Sequence, residues 1–120
     1  MTCHNGETFL NEAIQSILKQ EYANWELIFY NNNSSDKSKK IVKSYVDKRI
    51  KYFETKKLLS LGKIRNLAFN KTKGTHISFL DVDDLWHKSK LKLQIKQFIN
   101  NKKVDVVYCG FNKMKNKKII

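Results

Sequence analysis

Leu10, Ala13, Ile14, Ile17 and Leu18 stand at i, i+3, i+4, i+7 and i+8, the stripe of an amphipathic helix predicted over about residues 8–20. Glu12, Gln15 and Lys19 form its polar side. Trp25-Glu26-Leu27-Ile28-Phe29-Tyr30 is by contrast a nearly unbroken apolar run, the pattern of a strand covered on both faces in a parallel sheet. Polar Asn31 to Asp36 follow, a loop and helix start with Ser34 or Ser35 as the N-cap. Ile41, Val42, Tyr45 and Val46 mark a second helix, and residues 50–53 a second strand. Ile64, Leu67 and Ala68 give a third helix, which the pattern carries to Gly74 as its left-handed C′ residue. A third strand over residues 76–80 then runs into Asp81, Asp83 and Asp84. Ser89 is placed to cap a fourth helix bearing Leu91, Ile95, Phe98 and Ile99, residues 104–111 read as a further strand, and residues 113–120 begin a hairpin. Such alternation predicts one parallel α/β unit over residues 1–120.

The acids give that architecture a candidate chemistry. In open α/β sheets ligands sit beyond the carboxyl ends of the strands, and both polar clusters, 31–36 and 81–84, belong to that rim. Asp81 and Asp83 are two residues apart and lean to one side of a strand end, where their oxygens suit a divalent cation. The same letters equally describe solvated loop acids, with Asp84 capping the next turn. Pattern alone leaves both open.

Charge widens the choice of partner. Twenty-four Lys and Arg against 11 Asp and Glu give a formal net charge of +13, and the only arginines are Arg49 and Arg65. An excess of this size fits nucleic acid, an acidic membrane surface or a phosphorylated substrate. The lysines are scattered over every predicted element and are not interleaved with aromatics as in a single-strand groove, which ranks specific nucleic-acid binding last. Cys3 and Cys109 have no Cys or His at metal-ligand spacing, so reduced thiols are expected and zinc is disfavoured. Apolar runs fall far short of the roughly 20 residues of a membrane span. A cytoplasmic location is expected, with peripheral contact at the inner face of an acidic membrane as the extension of the charge argument.

Taken in order, Asn5-Gly6-Glu7, Trp25-Glu26-Leu27-Ile28, Ser34-Ser35-Asp36-Lys37-Ser38, Gly62-Lys63-Ile64-Arg65-Asn66, Lys73-Gly74-Thr75-His76-Ile77 and Phe79-Leu80-Asp81-Val82-Asp83-Asp84-Leu85-Trp86 resemble the family 2 glycosyltransferases over essentially the whole chain. The resemblance implies the nucleotide-sugar-binding part of a GT-A fold: a Rossmann-like, mostly parallel three-layer α/β/α sheet that holds a nucleoside diphosphate sugar, a UDP-sugar first, with Mg²⁺ or Mn²⁺. It further implies that Asp81 and Asp83 form the metal motif, with Asp83 the direct ligand and Asp81 on the ribose or the metal's water shell. Thr2, His4 and Asn5 would line the nucleoside, with the His4 ring in the family's base-stacking position. Asn32 would meet the base, Arg65 would lie near the diphosphate, and Asp84 and Trp86 would face the sugar or a saccharide or lipid-linked acceptor, as in envelope polysaccharide synthesis.

Three departures from the family pattern accompany the match. Asn31 and Asn32 stand where the family carries aspartates and Asn33 where it carries a glycine, so the base-binding position, Asn32, has lost its charge. Most of the family's central first strand is not among these residues, from which an internal methionine of a longer frame is expected at Met1. The acceptor half, with its general base, has no counterpart either, and no catalytic base is assigned. A nucleotide-sugar-binding remnant without transfer activity is therefore the alternative to a working transferase, and a basic nucleic-acid binder the more distant one.

Overall fold

The computed structural model describes residues 1–115 and 118–120. Its sheet has three parallel strands in the order β1 (Thr2–Cys3), β2 (Leu27–Asn32), β3 (Ile50–Thr55). Helix α1 (Leu10–Leu18) connects β1 to β2, and α2 (Ser38–Lys43) connects β2 to β3. After β3 come α3 (Leu61–Phe69), α4 (Lys90–Asn100) and a short antiparallel pair, β4 (Met114–Lys115) with β5 (Lys118–Ile119). That pair falls where the hairpin is expected, and its connecting residues lie outside those described.

Strand β2 is the centre, and all six of its residues are buried. Side chains alternate across a strand, so Leu27 and Phe29 pack with Leu10, Ile14 and Ile17 of α1 and Val42 of α2. Ile28 and Tyr30 pack with Ile64 and Ala68 of α3 on the opposite face. This is the three-layer α/β/α arrangement expected. Register places Phe29 opposite Tyr52 and Tyr30 opposite Phe53, and each aromatic pair is stacked, at 5.9 and 5.6 Å between ring centres. One stack braces each face of the sheet.

Several expected boundaries move, each for a local reason. Neither Ser34 nor Ser35 caps α2; Lys37 precedes the helix, and both serines are bonded to Asn5 of the neighbouring loop. Helix α2 closes at Lys43, which leaves Val46 fully exposed. Helix α3 ends at Phe69 rather than at Gly74, and no glycine has a positive φ. Ser89 makes no capping bond to α4, since its hydroxyl pairs with Nδ1 of His87. The strands expected over residues 76–80 and 104–111 take no part in a ladder. Strand β1 contributes only two residues to the sheet, so residues 76–80 have no strand alongside to pair with, and residues 104–111 have none beyond them. Leu80 is nonetheless buried in the core, while Phe79 is 64% exposed.

Ion pairs rim the sheet. Lys51 donates to Glu26 at 2.6 Å, and Arg49 stacks on Trp25 while donating to Asp47 at 2.7 Å. The Lys51 bond holds the Glu26 carboxyl below its ordinary range, and the Arg49 bond holds Asp47 down to about 2. Carboxyls depressed in the fold bind fewer protons than in the unfolded chain at acid pH. Their contribution is complete above the ordinary carboxylate range of about 4 and is lost as the pH falls toward 2. Urea unfolding followed by far-UV circular dichroism across this range is expected to show a small fall in stability on that limb; unchanged stability down to pH of about 2 would contradict it.

Candidate functional site

The rim at the carboxyl ends of β1 and β2 is built by two loops that grip each other. Asn5 donates its backbone N–H to Ser34 Oγ at 3.0 Å, and its side-chain oxygen accepts from Ser35 N at 2.9 Å. Glu7 N donates to Asp36 Oδ2 at 2.9 Å while Glu7 Oε2 accepts from Lys37 N at 2.8 Å. Gly6 N donates to Ser38 Oγ at 3.0 Å, and Ser38 N donates to Asp36 Oδ1 at 2.9 Å. The turns this requires put Asn5 and Asn33 at φ of 53° and 56°, the left-handed region that asparagine tolerates better than most residues. Asn5, expected at the nucleotide, thus has its acceptor engaged in joining the loops.

Beside this clasp is a cleft of about 250 Å³ lined by Thr2, Cys3, His4, Asn32, Leu59, Leu61 and Ile64. Three of the expected nucleoside residues, Thr2, His4 and Asn32, therefore share one cavity. Nδ1 of His4 lies 2.9 Å from the Asn32 carbonyl oxygen, which can only accept, so Nδ1 carries the hydrogen and the ring is held in one orientation. The carboxamide of Asn32 reaches across to the chain after β3: Nδ2 donates to Leu59 O and Oδ1 accepts from Leu59 N, both at 2.9 Å. Leu59 and Leu61, which no sequence pattern marks as site residues, form the apolar wall.

The acidic turn adjoins the same rim. Asp84 N donates to Asp81 O at 3.2 Å, closing the turn, and Arg65 of α3 donates to Asp81 Oδ1 at 2.9 Å. Arg65 also lines a second groove of about 330 Å³ with Gly62, Asn66, Phe69 and Phe79. Leu80, just before the turn, shares the core with Cys3 of β1, which sets the turn beside that strand. Burial first, and then the charges of Asp83 and Asp81, push the Asp84 carboxyl up. Asp83 is exposed, and no hydrogen bond or ion pair engages it among the described residues. Trp86 stands on the other side, half-buried, its backbone N–H donating to Ser16 Oγ at 3.1 Å and its ring under Lys90 Nζ at 4.2 Å. It packs into the scaffold while Asp84 stays on the rim. Among the described residues no three His, Cys, Asp or Glu side chains are grouped to hold a metal unaided.

Gly6 joins the clasp to the acidic turn. A Cβ there would lie 2.8 Å from Cys3 Sγ and 3.1 Å from Val82 Cγ2, and Val82 stands between Asp81 and Asp83 in the chain. The sequence signal is a lone glycine just past a strand end, a mark of close approach. Gly6→Ala is expected to cost about 1–3 kcal/mol as an overpacking change and to displace Val82. Thermal unfolding measures the cost, and an unaltered Tm would show that the turn yields freely.

Comparison with known proteins draws fold and site together. The family model described as Glycosyl transferase family 2 matches residues 1–118. WfgD of Escherichia coli, a UDP-Glc:alpha-D-GlcNAc-diphosphoundecaprenol beta-1,3-glucosyltransferase, is 34% identical over 120 residues, covering 100% of this chain and 47% of its own. An uncharacterized glycosyltransferase of Haemophilus influenzae is 38% identical over 103 residues, 84% of this chain and 41% of its own. The chain thus spans less than half the length of these relatives. Among solved structures, Staphylococcus aureus TarS 1-349 superposes with a TM-score of 0.79 at 26% identity, over 82% of this chain and 31% of that one. TarS 1-349 has also been solved in complex with UDP and with UDP-GlcNAc.

Proposed function

Because the chain belongs to glycosyl transferase family 2, we propose that it forms the donor-binding part of a glycosyltransferase that takes a sugar from a UDP-sugar. The observation that carries this is the meeting of Thr2, His4 and Asn32 in one cleft beside the Arg65–Asp81 pair. The cleft accepts the nucleoside against the oriented His4 ring, with Leu59, Leu61 and Ile64 as its apolar lining. Arg65 would supply the cation for a diphosphate leaving from that cleft, and its planar fork suits phosphate oxygens once it releases Asp81.

The donor set of the acidic turn fits Mg²⁺ or Mn²⁺. It offers hard carboxylate oxygens and no thiolate or imidazole. Asp83 and Asp81 would hold the ion, with donor phosphates completing a shell that these side chains leave open. Such an ion supplies neutralisation of the charge that grows on the leaving diphosphate. Asp84 would be the carboxyl on the acceptor side, where its oxygens can accept a hydrogen bond from a sugar hydroxyl.

For the acceptor, the relative's printed specificity for a diphosphoundecaprenol-linked sugar supports a saccharide or lipid-linked acceptor here. The net charge of +13 supports contact with an acidic membrane face, and no helix of the described residues is long and apolar enough to cross one. Titration calorimetry with UDP and UDP-sugars in the presence of Mn²⁺ tests the reading. Saturable binding is expected; no heat at millimolar ligand, of order the weakest specific affinities, would overturn it.

A further inference from the structure

Helix α3 and the residues on either side of it make up the longest stretch of the chain without an acid. Residues 55–80 hold six Lys and Arg and no Asp or Glu. Ile64 and Ala68 turn inward onto Ile28 and Tyr30 of β2. That leaves Lys63, Leu67 and Phe69 on the outer side, with Phe69 at 54% exposure. Lys71, in the turn that follows, belongs to the same side of the sheet: its Nζ lies 5.3 Å from the ring centre of Phe53, which packs against the Ile64 and Ala68 cluster. Phe79 completes the face, since it lines the groove of about 330 Å³ together with Phe69 and is 64% exposed.

The lysines of this face are also the ones left without counter-ions. Elsewhere on the surface Lys39 is paired with Glu54, Arg49 with Asp47, Lys51 with Glu26 and Lys92 with Glu21. Among the described residues no ion pair engages Lys63, Lys71 or Lys73. Glu26 accepts from the Lys73 backbone N–H at 2.6 Å, but its charge is met by Lys51. Residues 85–104 are likewise free of acids, yet there Lys90 is folded over the Trp86 ring and Lys92 is held by Glu21. Unpaired lysines set around exposed rings are the two signals that together hold a protein on an anionic bilayer. Headgroups meet the cations, and the rings reach the acyl boundary beneath.

We propose that the outer face of α3, with Lys63, Lys71 and Lys73 around Phe69 and Phe79, docks on a bilayer rich in anionic phospholipid. This gives a place to the membrane contact that net charge alone supports above, and it rests on that reading. Leu61, the first residue of the helix, lines the nucleoside cleft, and Phe69 is the last. A rise of about 1.5 Å per residue sets the docked ring about 12 Å along the helix from the cleft.

The test is co-sedimentation of the whole chain with vesicles of phosphatidylcholine containing about one third phosphatidylglycerol, beside vesicles of phosphatidylcholine alone. Binding to the first is expected, weaker by at least about tenfold on the second and falling as salt is raised. Lys63→Gln, Lys71→Gln and Lys73→Gln combined are expected to weaken it by about 100-fold, since each lysine at such a surface is worth about fivefold. Phe69→Ala, which keeps every charge, is expected to weaken it by about tenfold. Lys37→Gln, Lys40→Gln and Lys43→Gln combined, exposed positions in and beside α2 on the opposite side of the sheet, remove the same charge. They are expected to cost about threefold or less, because screening falls between them and the docked face. Equal losses from the two lysine sets, or no loss from Phe69→Ala, would overturn the inference while leaving contact through net charge standing. Absence of binding to either vesicle would overturn both. Self-association that Phe69→Ala abolishes would give the face to a second copy, and tighter binding of a mixed-sequence RNA than of the anionic vesicles, lost in the Lys63, Lys71 and Lys73 variant, would give it to nucleic acid; either result would overturn it.

Discussion

Phe29→Ala is expected to remove about 3–5 kcal/mol of stability, a large part of the roughly 5–15 kcal/mol that holds a domain of this kind together. Phe29 has no exposed surface. It sits at the middle of the central strand, packs with residues of α1 and α2, and stacks on Tyr52. With helices and β3 fixed around it, the space left by the ring cannot close. Urea unfolding measures the effect, and Val46→Ala, at a fully exposed position, provides a control expected within about 0.5 kcal/mol of the parent. A loss below about 1 kcal/mol for Phe29→Ala would place the core elsewhere.

Asp83→Asn is expected to weaken metal-dependent UDP-sugar binding by at least about tenfold, since an amide keeps the shape of the side chain but loses the charge and ligand strength of a carboxylate. The fold is expected to be untouched, because Asp83 is exposed and carries no partner among the described residues. Calorimetry with and without Mn²⁺ reads the result. Binding that keeps both its strength and its metal dependence in the variant would move the ligand role to another residue. Asp81→Asn makes a useful contrast, because it also removes the anion that Arg65 holds at 2.9 Å.

What was legible in the chain was what depends on short-range periodicity. The run through Leu27 to Tyr30 marks the central strand because every position there is apolar, and α1 follows from the spacing of Leu10, Ile14 and Ile17. The polar ends were less legible. Ser34 and Ser35 have the composition of helix caps, but Asn5, some 30 positions away, takes their hydrogen bonds. Residues 76–80 and 104–111 have strand-like composition, and composition is local whereas a ladder needs a neighbour. At the candidate site, the resemblance singled out Thr2, His4, Asn32, Arg65 and Asp81, and the fold brings Thr2, His4 and Asn32 into one cleft and Arg65 onto Asp81. The engagement of Asn32 was not readable, since its partner is the backbone of Leu59, 27 positions away, and a backbone amide leaves no letter in the sequence.

The grip between the two rim loops has a consequence for how an anion is met. Many nucleotide sites use main-chain amides at a glycine-rich turn or helix start as a phosphate cradle. Here the amides of Asn5, Gly6, Glu7, Ser34, Ser35, Lys37 and Ser38 all point into side-chain oxygens of the chain itself. The rim has therefore turned these seven donors inward, and on the proposed reading a diphosphate would be neutralised there by mobile charge: a guanidinium, a lysine or a metal ion. Affinity built that way depends on ionic strength more steeply than affinity built on fixed dipoles.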